Sequence, residues 1–157
     1  MACAAPMRTD KKRVVDAVAS ALQAALERGQ SEFDALKASL SKETKSTAGD
    51  KHETGRAMVQ LDMEQAGERL ARAETMMAIF RRLNPLEPRA AVGPGAWVVT
   101  DSGQFFIGVA GGALTLPDGG KLHVISADAP IAQALRGSKA GATVEFRGKH
   151  WAVVSVQ

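Results

Sequence analysis

Cysteine is nearly absent from this chain. The one thiol, Cys3, excludes a disulfide framework and a cysteine zinc site and fits a reducing compartment. Tyrosine is missing and aromatics amount to 4%, so platforms for stacking single-stranded nucleic acid are scarce. No apolar run reaches the roughly 18 residues that a membrane span needs. The start, MACAAPMRTDKKR, has no apolar segment behind its charges, as a secretion signal would. Excess charge of one sign is also small: 20 Lys and Arg stand against 17 Asp and Glu, a net of +3. That is too little to mark a nucleic-acid binder by itself. What remains is ordinary globular composition, 45% hydrophobic and 24% charged over 157 residues. The expectation is a soluble, cytoplasmic protein of one domain or two small ones, with no membrane partner.

Proline and glycine are unevenly spread. Residues 1–84 carry 26 of the 37 charges and one proline, Pro6; residues 85–157 carry five of six prolines and 11 of 15 glycines. The first part reads as helix and the second as short strands and turns. Pro85, Pro88 and Pro94 in NPLEPRAAVGPG mark a helix stop and a linker over 85–95.

Within 8–84 the apolar residues follow two heptad seams. One runs Val15, Ala19, Leu22, Leu26, Gly29, Phe33, Leu36, Leu40, and the other Val59, Met63, Ala66, Leu70, Ala73, Met77, Phe80. An antiparallel hairpin pairs positions whose numbers add to a constant, here 99. Leu36 then faces Met63, Phe33 faces Ala66, Gly29 faces Leu70 and Leu26 faces Ala73. Large residues repeatedly meet small ones, which fills a seam without voids. The symmetry centre lies between Gly49 and Asp50, so the tip should occupy 45–53, at the end of arms of about 30 residues or roughly 45 Å.

The region 96–157 reads as strands AWVVT, QFFIGVA, ALTL, KLHVI, ATVEF and KHWAVVSV, with one short helix at PIAQALRG. Pro130 suits the first turn of that helix and Gly137 its C-terminal cap. The expected fold class is α+β: an N-terminal antiparallel coiled-coil hairpin, then a mostly antiparallel β domain with one short helix.

Chemistry-bearing residues are few. At the tip, GDKHETG holds Asp50 and Glu53 three residues apart, on one face of a starting helix. Two such carboxylates can coordinate a hard divalent cation such as Mg²⁺. Spacing alone favours a capping box, with Asp50 as N-cap and Glu53 at N3, a reading compatible with the first. Arg81, Arg82 and Arg89 form a basic cluster, either a solvated face or a contact for an acidic partner. His123 and His150 read as strand residues rather than ligands, and Ser102 lacks the pattern of a nucleophile elbow. His52-Glu53 is not followed by a second His at the metalloprotease spacing, and Gly49 to Gly55 is not a phosphate loop.

Taken together, the hairpin with Gly49-Asp50-x-x-Glu53 at its tip and the segment SADAPIAQALRGSKAGATVEF resemble the bacterial GreA/GreB transcript-cleavage factors. The residues that carry the likeness are Ala129, Pro130, Ile131, Ala132, Leu135, Gly137, Lys139, Gly141, Val144 and Glu145. The resemblance implies an FKBP-like C-terminal domain and a hairpin that enters the secondary channel of RNA polymerase. There Asp50 and Glu53 would help hold a catalytic Mg²⁺ shared with the polymerase, next to the 3′ end of nascent RNA. It also implies that Asp128, Pro130 and Ile131 meet the channel rim, and that the chain is a monomeric elongation factor with no tightly bound cofactor. The factor would not be an enzyme alone; it would stimulate the polymerase's own nuclease in trans. The sequence departs from the family after the acidic pair, where Thr54-Gly55-Arg56-Ala57 stands, and Lys51 and His52 lie between the acids. A channel-binding modulator or inhibitor without cleavage stimulation is the alternative. Prolyl isomerase activity and a structural adaptor role are two others.

Overall fold

The computed structural model describes residues 10–45 and 50–157, with the backbone alone for 43–45 and 50–53. The elements are α1 (Lys11–Lys45), α2 (Asp50–Arg82), β1 (Trp97–Thr100), β2 (Gly103–Ile107), β3 (Gly112–Thr115), β4 (Lys121–Ile125), α3 (Pro130–Leu135), β5 (Thr143–Phe146) and β6 (Lys149–Val156). The fold is α+β. The chain forms two compact units: residues 22–75, and residues up to 21 together with 76–157.

Residues 22–75 are the distal part of the hairpin. Leu22, Gly29 and Ala66 are buried, Leu26, Phe33, Leu36, Val59, Met63, Leu70 and Ala73 are half-buried, and most of the positions between them are exposed. The heptad seams are therefore the contact faces. Gly29 lies directly against Leu70: a Cβ built on it would stand 3.4 Å from the Leu70 Cα. Phe33 reaches Gly67, one residue from the anticipated Ala66; a Cβ there would stand 3.6 Å from its ring. The offset follows from the lean of helical side chains toward their own N-terminus, which in an antiparallel pair is toward higher numbers on α2. The Arg69 guanidinium donates to the Glu32 carboxylate across the same face.

In the other unit, a sheet of order β3-β4-β2-β1-β6-β5 is covered on both sides. Strand alternation sends Phe106 to one face, where its ring meets Phe80 of α2 at 6.0 Å. Val14 and Val18 of α1 are completely buried in this unit, and Met77 and Phe80 nearly so. The first turns of α1 and the last of α2 are thus part of the β domain's core. Asp10 opens α1 by accepting the Arg13 N–H at 2.9 Å, an N-cap. Phe105 and Ile107 point to the opposite face and join Val98, Val153 and the buried Ala132 and Leu135 of α3.

Three details go beyond the sequence reading. First, β2 and β4 pair in parallel, Phe105 beside His123 and Ile107 beside Ile125, so the domain is not wholly antiparallel. The chain leaves β2 through Gly108 (φ 136°), against which Leu83 packs so closely that no Cβ fits. It forms β3 on the far side and returns as β4 beside β2. Second, β6 is shared: its start pairs with β5 and its end with β1, across a bulge at Val154. Third, residues 85–95 are not a free linker. Asn84 takes a left-handed conformation (φ 48°) just past α2, as helix C-termini favour. Val92 then accepts from Gly137 N–H (2.9 Å) and donates to the Ser138 carbonyl (2.8 Å). It is buried within the α3 cluster.

Candidate functional site

α2 begins at Asp50, so Asp50 and Glu53 are its first and fourth residues and Lys51-His52-Glu53 belong to helix rather than to the bend. Residues i and i+3 of a helix share a face. Of the expected tip at 45–53, Lys45 ends α1 and residues 50–53 open α2, which leaves 46–49 between the two helices. Residues 46–49, the Asp50 and Glu53 side chains, and with them the choice between ligand and cap, lie outside the described residues. Among the described residues, no group of three or more His, Cys, Asp or Glu could hold a metal ion. Two carboxylates fill only part of the octahedral shell of Mg²⁺, so at this tip water or a partner would supply the remaining ligands.

The second candidate set surrounds the start of α3. Pro130 occupies the first turn, where its missing N–H is no loss. Neither Ser126 nor Asp128 caps this helix by side chain; the Ser126 carbonyl accepts the Ala129 N–H at 3.1 Å instead. Asp128 and Pro130 are exposed, whereas Ile131 is half-buried against the cluster beneath α3. Asp128 also lines a cleft of about 310 Å³, with Pro94, Ile107, Ala127, Ala132 and Gln133, and with Arg136 just past the end of α3. Ile131 serves packing as well as any partner, so a charge placed there would test the fold rather than docking.

The basic cluster divides. Arg81 and Arg82 are exposed in the last turn of α2, where cations complement the helix dipole. Arg89 is structural: its Nη2 donates to the Leu83 carbonyl (2.7 Å) at the end of α2, and the Glu87 carboxylate lies 3.7 Å away. Lys11, which sequence reasoning passed over, completes the strap. Its ammonium donates to the Glu87 carbonyl at 2.6 Å, joining the start of α1 to the segment after α2. Burial lowers its pKa below the usual lysine value, the Arg89 charge lowers it further, and Glu87 opposes both. One long-range contact of this kind leaves no periodic trace in sequence.

The remaining candidates are strand and turn residues. His123 and His150 are exposed, His123 with its ring 5.7 Å from Phe105. Ser102 bonds its neighbour Asp101 at 3.3 Å in the β1–β2 turn. Trp97, Phe105 and Phe106 are buried, and Trp151 packs between Phe105 and Phe146. These aromatics therefore fill a core and do not line the cleft beside α3, which weakens the isomerase reading. Among the described residues no helix is long and apolar enough to cross a membrane. In comparisons with known proteins, no family model matches the chain, and no curated protein matches it either.

Proposed function

We propose that this protein is a Gre-type factor that inserts its hairpin into the secondary channel of RNA polymerase, in the cytoplasm, and stimulates cleavage of backtracked RNA. One observation carries the proposal: two helices of 35 and 33 residues, packed antiparallel over residues 22–75, with a pair of carboxylates in the first turn of the second. Helices of this length extend about 50 Å. A hairpin with so little to bury toward its tip suits reach into a deep site better than it suits stability.

On this reading Asp50 and Glu53 supply hard oxygen donors toward the second Mg²⁺ of the polymerase. That ion, when bound, polarises the attacking water. The chain's own contribution is to hold negative charge at a fixed place on a rigid arm. Asp128 and Pro130 would touch the channel rim. The protein has no catalytic site of its own in this account.

A second reading is favoured by Lys51, His52 and Thr54-Gly55, which place positive or titratable charge and a flexible residue beside the acids. In that case the protein occupies the channel and modulates or inhibits transcription without cleavage. RNA release from stalled, backtracked complexes over a Mg²⁺ titration separates the two. Asp50→Asn and Glu53→Gln both preserve capping capacity while removing charge. Loss of stimulation with unchanged polymerase binding supports the cleavage role. Full activity in both variants would reduce the acids to caps. A wild type that competes for the channel without stimulating cleavage would establish the modulator, and failure to bind core polymerase would sink both readings.

A further inference from the structure

The two edges of the sheet are unlike. The β5 edge carries Glu145, is packed by α3 and ends in the Arg147-Gly148 turn. The β3 edge, Gly112–Thr115, has no charge and no proline, and Gly112, Ala113 and Thr115 are exposed. Sheets normally blunt such an edge with lysine, proline or a covering element.

The phase of the ladder shows which backbone groups face outward. β3 pairs with β4 antiparallel, Gly112 opposite Val124, Ala113 opposite His123, Leu114 opposite Leu122 and Thr115 opposite Lys121. The Leu116 N–H bonds to the Gly120 carbonyl at 2.7 Å, which makes that pair a hydrogen-bonded one. Alternation then assigns the inward groups to Gly112 and Leu114 and the outward groups to Ala113 and Thr115. This outward set is symmetric about Leu114. An antiparallel copy of the same strand, placed with Leu114 opposite the partner's Leu114, brings Ala113 opposite the partner's Thr115 and Thr115 opposite the partner's Ala113. Each outward N–H and carbonyl then finds its complement, and the two leucines meet as a close, non-hydrogen-bonded pair.

We propose that the β3 edge is a homodimerisation surface, joining the sheets of two copies across a two-fold axis at Leu114. The occupant is a second copy because the strand is its own complement in hydrogen bonding and carries no like charges to repel itself. A four-residue edge covers less than the roughly 1,000 Å² of a stable interface, so the dimer is weak, with a dissociation constant of about 10⁻⁴ M. At low concentration the chain remains the monomer expected of a polymerase factor, and the proposal does not depend on that function.

The test is analytical ultracentrifugation from about 10 µM to about 1 mM, spanning that constant, with amide hydrogen exchange of the full chain in parallel. The expected result is reversible dimerisation, with the Ala113 and Thr115 amides gaining protection as concentration rises. Those of Gly112 and Leu114 should be protected throughout. Ala113→Pro removes an outward donor without touching the β4 ladder and should weaken the dimer at least tenfold. Should that variant fold poorly, a charge swap replaces it. Ala113→Lys with Thr115→Lys sets like charges opposite each other and should abolish the dimer, while Ala113→Lys with Thr115→Glu should restore it. A chain that stays monomeric at the highest concentration, or a dimer indifferent to these changes, overturns the proposal. Protection of Ala113 and Thr115 gained only on adding another protein would also overturn it, because the edge would then serve a different strand.

Discussion

Two glycines of the hairpin face the opposite helix at different clearances, and the difference predicts unequal responses to substitution. Each costs about 0.8–1 kcal/mol of helix propensity relative to alanine. At Gly67 an added Cβ meets only the Phe33 ring, at 3.6 and 3.9 Å, ordinary contact with a side chain that can adjust. Gly67→Ala should therefore recover most of that propensity, raising the melting temperature by about 2–4 °C for a chain of this size. At Gly29 the added Cβ stands 3.4 Å from the Leu70 Cα and 3.5 Å from its Cδ1. Backbone cannot swing aside, so Gly29→Ala should gain less, and anything larger must part the helices. Gly29→Leu should cost about 1–3 kcal/mol through overpacking, propensity notwithstanding. The assay is urea unfolding followed by helical circular dichroism. A swap completes it: Gly29→Leu combined with Leu70→Ala moves bulk across the seam and should be clearly less destabilised than the two single changes added together. If Gly29→Leu is as stable as the wild type, or the swap is merely additive, Gly29 does not face Leu70 and the register is wrong.

Other perturbations test the strap and the cores. Lys11 has a lowered pKa in the fold, so between that value and 10.5 the unfolded chain holds more protons, and this residue's contribution to stability rises with pH. Replacing it by Met should make the stability difference from wild type vary with pH only on the alkaline side; a difference flat through that range refutes the buried-amine account. Gly95 has φ 87°, and an added Cβ would lie 3.0 Å from Arg89 Nη2 and 3.2 Å from the Leu83 carbonyl. Gly95→Ala should cost about 1–2 kcal/mol from backbone strain alone, measured by thermal melting; a neutral result would mean the segment relaxes. Leu135 is fully buried under the sheet, and Leu135→Ala should cost about 2–5 kcal/mol. A loss below about 1 kcal/mol would show that α3 is not a structural lid on that face.

What the sequence reveals of this fold follows from which interactions repeat. The heptad seams recur every few residues, so burial at Ala66 and partial burial at Leu36 and Leu70 could be read in advance. Strands bounded by glycine and proline were legible for the same reason, although QFFIGVA was cut short at Ile107 because Gly108 turns away under Leu83. Parallel pairing of β2 with β4 was hidden, since hairpin signals on both sides of β3 look alike whichever neighbour β4 finally takes. The Lys11–Glu87–Arg89 strap was hidden too, because a single ammonium bonding a carbonyl 76 positions away has no local signature. At the tip, spacing specifies that Asp50 and Glu53 share a helical face but not what their oxygens hold.

The division of the molecule into residues 22–75 and the rest makes the hairpin's outer part an insertion within a discontinuous domain. Bringing Ala21 and Met76 into one unit means closing a loop of 54 residues. For a disordered loop of that length the chain entropy opposing closure is about 3–4 kcal/mol. A preformed helical pair removes that opposition, because its own zipping delivers both strands of the chain to the sheet already adjacent. The outer hairpin would then act during folding as a clasp for the β domain, and its length would be adjustable. Deleting seven residues from each arm leaves every seam position in phase. A set of variants shortened in this way, all with the same domain and the same tip, would act as molecular rulers for the depth of whatever site the tip enters.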